Sequence, residues 1–328
     1  MKAMVIKELG NSDVFQLEER EKPKVQPQHL VIEVKATSVN PLDTMLRSME
    51  TPWSNNLPEI LHGDVAGVVV EVGEGVTGFK VGDEVYGCAG GISGINGALA
   101  EYMLVDANLM AHKPTTLSMK QAAALPLVSI TAWEALHDKL KIQSGDHILI
   151  HGATGGVGHI AIQLAKSFGA AVSATVKPRN LDVANKLNAD NIINVEEQTV
   201  SDYVKSLTDG VGFDAVFDTV AGKNIQLSFD AVRINGEVAT ILPIEDTLKA
   251  ALKSLTLHSV LMLVPMVHGI NRASHGNILT HISTLVDKGV IKPLIDSSDF
   301  SIWDVAKAHE RYHSGQAVGK ITLSMRSE

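Results

Sequence analysis

The run His147-Ile148-Leu149-Ile150-His151 stops at Gly152-Ala153-Thr154-Gly155-Gly156-Val157-Gly158, and no other stretch of the chain constrains the fold so strongly. A β-branched and leucine-rich strand meets a glycine-dense turn, and Ile160-Ala161-Ile162-Gln163-Leu164-Ala165-Lys166 then suits a helix. From Ala153 the spacing reads A-x-G-x-x-G. In that pattern Gly155 lets the backbone approach a pyrophosphate, and Gly158 lets the helix pack on the strand. The first helical residues, Gly156 and Val157, would supply free amides to the phosphates. A second strand, Ala171 to Val176, follows at the distance a dinucleotide-binding βαβ unit requires. A glycine-rich turn with no ligand would look the same taken alone, so the flanking strands and helix carry the argument.

The second strand also bears on which dinucleotide is bound. An NAD site usually places Asp or Glu about 20 residues beyond the glycines, on the ribose 2′-hydroxyl. Between Gly152 and Leu181 there is no acidic residue, and the strand ends Thr175-Val176-Lys177-Pro178-Arg179. Lys177 and Arg179 would meet a 2′-phosphate, which points to NADPH. The alternative is a pair of solvated surface cations.

The 328 residues suit two domains with substantial cores. A single cysteine, Cys88, rules out an internal disulfide or a four-cysteine metal site within one chain, and a reducing cytoplasm is expected. With 28 Lys and Arg against 37 Asp and Glu, the net charge is −9. That disfavours nucleic acid or an anionic membrane as partner. Charges in the first residues leave no apolar core for a signal peptide, and the apolar run Val260 to Val267 contains Pro265 and is far too short to span a bilayer.

Residues 1 to about 120 read as short strands broken by Gly, Pro and Asn, an all-β texture. Beyond them, helices alternate with apolar strands, as in a doubly wound parallel α/β sheet of Rossmann type. A helix is expected over 120–139, with strands at 147–151, 171–176, 192–194, 215–218 and 238–241. Helices near 277–288 and 301–313 and a last strand at 318–323 complete the chain. There is no short internal repeat.

Taken together, Asn40-Pro41-Leu42-Asp43, the run from His62 to Gly87, the glycine loop, Phe217 to Gly222 and Gly319-Lys320-Ile321 resemble the medium-chain dehydrogenase/reductase superfamily. Within it, the zinc-free quinone oxidoreductase branch is most similar. The resemblance implies a GroES-like, mainly β catalytic domain at 1–122 and 294–328, and a Rossmann cofactor domain at 123–293. Zinc-dependent members bind catalytic zinc through a cysteine and a Gly-His-Glu motif. Here Gly63 stands at the histidine, Asp64 at the glutamate, and the cysteine region reads Ser38-Val39-Asn40, so no metal is expected. Without a Lewis acid, the fitting acceptors are already electron-poor: quinones and α,β-unsaturated carbonyls.

The resemblance also implies site residues. Asn40 and Thr131 would face the nicotinamide and Tyr86 the substrate, as the catalytic candidates. Asn40, Thr131, Gly155, Gly156, Val157, Thr175, Lys177, Arg179, Thr219 and Lys320 would contact NADPH. Each has a plainer reading: a turn asparagine, a helix threonine bonded to its own backbone, a core tyrosine with a satisfied hydroxyl, a charged strand end. Met45 stands where some relatives carry a tyrosine, which leaves the proton donor open. His309-Glu310-Arg311-Tyr312-His313 matches H-E-x-x-H, but among later residues only Glu328 is an acid or histidine, so a helix of ordinary packing is expected. The expected function is zinc-independent, NADPH-dependent hydride transfer to a small quinone, enone or enal. An enoyl-thioester reductase and a non-catalytic crystallin-like or nucleic-acid-binding relative are the alternatives. The apolar segment Leu257 to Val264 is expected as an edge strand that pairs two copies into a homodimer.

Overall fold

The computed structural model describes residues 1–325. The chain forms two compact units. The first comprises Met1–Leu127, Leu263–Gly289 and the residues from Ile295 onward; the second comprises Val128–Met262 and Val290–Leu294.

In the first unit a seven-stranded sheet runs in the order Phe300–Ser301, Thr322–Ser324, His29–Ser38, Asp64–Val72, Glu84–Cys88, Met110–His112, with Tyr102–Asp106 also pairing on His29–Ser38. Its pairings are antiparallel except the first. The central pair, His29–Ser38 with Asp64–Val72, changes register twice. One shift falls at Val34, where Gly67 is required because a Cβ on it would lie 2.3 Å from the Glu33 carbonyl oxygen. That pairing sets Ser38 and Asp64 at one end of adjacent strands. The chain leaving the first of them turns at Asn40 into the helix Pro41–Ser48, with Pro41 at a position where its missing N–H costs nothing.

In the second unit six strands lie parallel in the order Asn191–Asn194, Ala171–Val176, His147–His151, Phe213–Asp218, Val232–Thr240, Thr256–Ser259. By chain order this is third-second-first-fourth-fifth-sixth, the doubly wound arrangement with its switch point at the His147–His151 strand. Leu149, Phe213, Val216, Phe229 and Val238 are buried beneath it. No helix among the described residues is long and apolar enough to cross a membrane.

Several elements differ from expectation. The helix expected over 120–139 is three pieces: Met119–Ala122, Pro126–Trp133 and a π-helical turn, Glu134–Lys139. Pro126 lacks the N–H needed to continue the first piece. The last strand is Thr322–Ser324, because Gly319 takes a positive φ of 76° and delays the extended run. The edge strand closes at Ser259, and Pro265 opens a short helix, Val264–His268. The helix Ala273–Asp287, which chain order places with the dinucleotide domain, packs in the first unit. Gly276 makes this close packing feasible: a Cβ there would stand 2.7 Å from the Asn108 carbonyl oxygen and 2.9 Å from that of Met110.

Candidate functional site

In the second unit the glycine loop is a cradle that side chains would fill. Gly152 has φ +84°, a conformation L-residues rarely adopt. Gly155 caps the helix Gly156–Ser167, so the amides of Gly156 and Val157 lie in its first turn, unpaired within the helix. A Cβ on Gly158 would stand 2.1 Å from the Gly152 carbonyl oxygen. The helix therefore starts directly against the loop, with its positive dipole end at the place where a pyrophosphate would sit.

Neighbouring strands brace this loop. Thr175 is buried, and its hydroxyl accepts from the Gly152 N–H at 3.2 Å and contacts His151 Nδ1 at 3.1 Å. Its carbonyl accepts from the Ala153 N–H at 2.9 Å. The Thr219 hydroxyl donates to the His151 carbonyl at 2.6 Å. The structure thus gives both threonine hydroxyls to the loop itself; expected as cofactor contacts, they hold the cradle from below. Lys177 and Arg179, just beyond the second strand, are exposed, and Asn180 ties their turn to the loop through Thr154 Oγ1 at 3.0 Å. Thr131 is buried on the helix Pro126–Trp133.

Sequence reasoning missed Asp218. Buried at the end of the fourth strand, its carboxylate accepts from the N–H groups of Val220 and Ala221, from Asn224 Nδ2 and from Ser228 Oγ, at 2.8 to 3.0 Å. These bonds hold Ala221 at φ 58° and ψ −161°, a region close to glycine-only. Such strain persists only where surrounding bonds over-determine it, and here they fix the turn carrying Thr219.

In the first unit Asn40 and Lys320 do come together, around a third residue, Asp64, that the sequence placed only at the glutamate of the zinc motif. Asp64 is fully buried. It accepts from Ser38 Oγ, Asn40 Nδ2 and the Leu127 N–H, each at 2.8 Å, and from Lys320 Nζ at 3.4 Å. Lys320 Nζ also donates to the Val39 carbonyl at 2.9 Å and to Asn40 Oδ1. Asp43 caps its helix by accepting from the Asn40 N–H at 2.7 Å. Burial raises the Asp43 carboxyl to about 7, with Asp64 adding to the rise while the Asn40 N–H and Lys320 oppose it.

Tyr86 departs from its expected place. It is wholly buried, and its hydroxyl donates to the Leu279 carbonyl at 2.6 Å. Burial lifts its pKa far above that of a free phenol. It is a core tyrosine with its hydroxyl engaged, because the helix Ala273–Asp287 packs in this unit.

Of the H-E-x-x-H residues His309 alone is buried, in a hydrogen-bonded chain that runs through Arg47, His62 and Thr37, while Glu310 and His313 are exposed. Arg47 Nε donates to His309 Nδ1 at 3.2 Å, His309 Nε2 meets His62 Nε2 at 2.9 Å, and His62 Nδ1 meets Thr37 Oγ1 at 3.3 Å. Thr37 Oγ1 donates onward to the Asp64 carbonyl at 2.6 Å. Since the guanidinium only donates, His309 must carry its proton on Nε2 and His62 on Nδ1. Arg47 also lies 3.4 Å from His313 Nε2, so a fixed positive charge stands between the two motif histidines. Glu310 accepts from Ser12 Oγ, and Glu328 lies outside the described residues.

A catalytic zinc has no donor set to receive it. Gly63 stands at the histidine position, and a Cβ there would lie 2.9 Å from the Gly90 carbonyl oxygen and 3.0 Å from Cys88 Sγ. Even a substituted histidine would need the backbone to move. No group of three or more His, Cys, Asp or Glu among the described residues could hold a metal ion.

Comparison with known proteins agrees with this architecture. Residues 26–115 match the alcohol dehydrogenase GroES-like domain and residues 187–323 the zinc-binding dehydrogenase family. The chain is 34% identical over 332 residues to the 2-methylene-furan-3-one reductase of Solanum lycopersicum, covering 98% of this chain and 79% of that one. It is 28% identical over 328 residues to the quinone oxidoreductase of Rattus norvegicus, covering 98% and 97%. A crystal structure of an alcohol dehydrogenase superfamily protein from Novosphingobium aromaticivorans aligns with a TM-score of 0.93 at 35% identity, covering 99% and 100%. With a GroES-like sheet, a doubly wound dinucleotide sheet and these relatives, the chain belongs to the medium-chain dehydrogenase/reductase superfamily of oxidoreductases.

Proposed function

We propose that this protein is a metal-independent, NADPH-dependent reductase of quinones or α,β-unsaturated carbonyls. The observation that carries this reading is the polar cluster around Asp64: the position of a metal-ligand set is filled by Ser38, Gly63, Asn40 and the Lys320 ammonium. A site so built cannot activate an alcohol through a metal alkoxide, but it suits an acceptor made electron-poor by conjugation. The quinone oxidoreductase and the furanone reductase among its relatives point to the same acceptors.

The amides of Gly156 and Val157 hold the pyrophosphate, with Thr175 and Thr219 keeping the loop in shape. The Gly155 N–H, expected to join them, is donated to the Gly152 carbonyl at 3.0 Å, and Gly155 serves by the lack of a side chain. Lys177 and Arg179 take the 2′-phosphate. When bound, the nicotinamide supplies the hydride. Asn40 donates an amide N–H to the acceptor oxygen as negative charge develops there. Thr131 lines the nicotinamide side. Met45 replaces the tyrosine of some relatives and the Tyr86 hydroxyl is engaged elsewhere, so the proton comes from water. Assay with NADPH and a panel of a quinone, an alkenal and an enoyl thioester tests this. Turnover of the thioester alone would move the assignment to acyl chains, and no turnover of any acceptor would overturn it.

NADPH is expected to bind at least about tenfold better than NADH, since one charge-assisted contact typically contributes about 1.5–3 kcal/mol. Calorimetry on the wild type and on Arg179→Ala checks this. Equal affinity for the two cofactors, or a preference unchanged by the substitution, would refute it. Chelator treatment is expected to leave turnover intact; stoichiometric zinc by elemental analysis, with activity lost on its removal, would contradict the metal-free reading.

The strand Thr256–Ser259 ends the parallel sheet, and Leu261 just beyond it is 47% exposed. Pairing of two copies along this edge would cover it. Light scattering is expected to report about twice the 35.1 kDa chain mass, shifting toward monomer in Leu261→Asp. Leu263 is buried and would report on folding instead. We assign the protein to the cytoplasm on its single thiol, Cys88, which is buried and whose pKa burial raises.

A further inference from the structure

Asn180 does not do what its place in the chain prepares it for. It precedes the short helix Leu181–Ala184, where asparagine is a preferred cap because its side-chain oxygen accepts from the first helical amides. No such cap bond forms, and the backbone takes φ −113° and ψ 9° instead of the extended conformation usual for a cap. The side chain turns the other way: its Nδ2 donates to Thr154 Oγ1 at 3.0 Å, 26 positions back in the glycine loop.

The two ends of that bond differ in kind. Thr154 is 8% exposed, and both its neighbours are tied, the Ala153 N–H to the Thr175 carbonyl at 2.9 Å and the Gly155 N–H to the Gly152 carbonyl at 3.0 Å. The loop end is therefore fixed. At the other end Lys177 and Arg179 are exposed and flank Pro178, whose ring sets its own φ. The Asn180 N–H donates to the Lys177 carbonyl at 3.0 Å and the Leu181 N–H to the Pro178 carbonyl, which closes Pro178–Asn180 into one tight turn. Such a turn moves as a unit, so a bond made by Asn180 governs where both cations stand relative to the loop.

We infer that Asn180 is a positioning residue for cofactor choice: through Thr154 it holds the turn of Lys177 and Arg179 at a set spacing from the glycine loop. This deepens the functional reading above, on which it rests. In NADPH the pyrophosphate and the extra phosphate leave one adenosine ribose, at its 5′ and 2′ carbons, so the distance between them is limited by that ring. A protein that presets the matching spacing avoids ordering the turn when the cofactor binds. NADH, with no 2′-phosphate, draws no benefit from it.

The test is calorimetry with NADPH and with NADH on the wild type, Asn180→Ala, Thr154→Val and Thr154→Ser, and on Asn180→Ala in a Lys177→Ala/Arg179→Ala background. A charge-assisted contact contributes about tenfold or more in affinity, so Asn180→Ala is expected to weaken NADPH about five- to tenfold and NADH less than about twofold. In the background without the two cations the same substitution is expected to change NADPH affinity less than about twofold, because the turn then carries nothing to position. Thr154→Val keeps the shape and loses the hydroxyl, and it is expected to lose the same share of the NADPH preference. Thr154→Ser keeps the hydroxyl and is expected to retain it. Hydrogen exchange of the Asn180 and Leu181 amides, which close the turn, should be faster in Thr154→Val than in the wild type. An Asn180→Ala variant that weakens both cofactors alike, a full effect in the background variant, or unchanged amide exchange would overturn the inference. Equal affinity for NADPH and NADH in the wild type would refute the NADPH assignment and this role with it. A wild type that prefers NADPH, with the preference intact in Asn180→Ala, would leave that assignment standing and remove only the role of Asn180.

Discussion

Gly158→Ala is expected to abolish cofactor binding at working concentrations and to lower stability by about 3 kcal/mol or more, the upper end of what overpacking costs. The added Cβ would lie 2.1 Å from the Gly152 carbonyl oxygen and 2.8 Å from its carbon. Those are backbone atoms, so no rotamer change relieves the clash. Either the helix Gly156–Ser167 withdraws from the sheet or the loop is displaced, and the loop is already held by the Thr175 hydroxyl and the Thr219 hydroxyl. Gly155→Ala serves as the comparison, because the nearest atom to its Cβ is 3.3 Å away and its backbone is extended. It should fold nearly as well as the wild type. Thermal unfolding and NADPH calorimetry on both variants check this, and an unchanged melting temperature and Kd for Gly158→Ala would mean the loop does not approach the helix as described.

Between pH 6.5 and 4.5, Asp43→Asn is expected to lose stability more steeply than the wild type, by about 1.4 kcal/mol per pH unit. His62 and His309 are buried as neutral imidazoles: burial, then the neighbouring His309 and Lys320, hold His62 well below its ordinary value. Burial, then Arg47 and His313, bring His309 to about 3. The unfolded chain takes up these protons as pH falls through about 6.5 and the folded one does not. Each histidine's contribution is therefore complete above that pH and is lost at about 1.4 kcal/mol per pH unit below it. Asp43 works in the opposite direction. Its folded value is raised to about 7, so the folded state keeps a proton that the unfolded state, with an ordinary carboxyl near 3.9, has released. That contribution grows as pH falls from about 7. Removing that gain steepens the acid-side loss by about 1.4 kcal/mol per pH unit, added to the losses from His62, His309 and the likewise depressed His147 and His151. An asparagine at 43 still offers an oxygen to the Asn40 N–H, so the helix cap survives. Denaturant midpoints for both proteins across this range check the prediction, and parallel curves would show that Asp43 does not hold its proton in the folded state.

Much of this molecule follows from contiguous residues. The strand, glycine loop and helix from His147 to Lys166 are specified by neighbours in the chain, because a positive φ at Gly152 and the close contact at Gly158 are requirements of one local turn. The parallel order of the second unit follows from alternating strands and helices. Lys177 and Arg179, the missing carboxylate and the glycine at position 63 are likewise visible residue by residue.

The fate of buried polar groups was decided elsewhere, since a hydrogen-bond partner that lies hundreds of residues away leaves no trace in periodicity or spacing. Nothing near Asn40 announces that Lys320 will grip its amide across 280 positions. Tyr86 reads equally well as a cleft residue or a core residue, and the choice was made when Gly276 let the helix Ala273–Asp287 settle beside Asn108 and Met110, bringing the Leu279 carbonyl to the phenol. The H-E-x-x-H histidines carry a metal-binding spacing, but Arg47 and His62 draw His309 into a tautomer-fixed chain. Local sequence determined which backbone shapes could form; tertiary packing determined which donors met which acceptors, because burying any of these groups unpaired costs more than the bond itself returns.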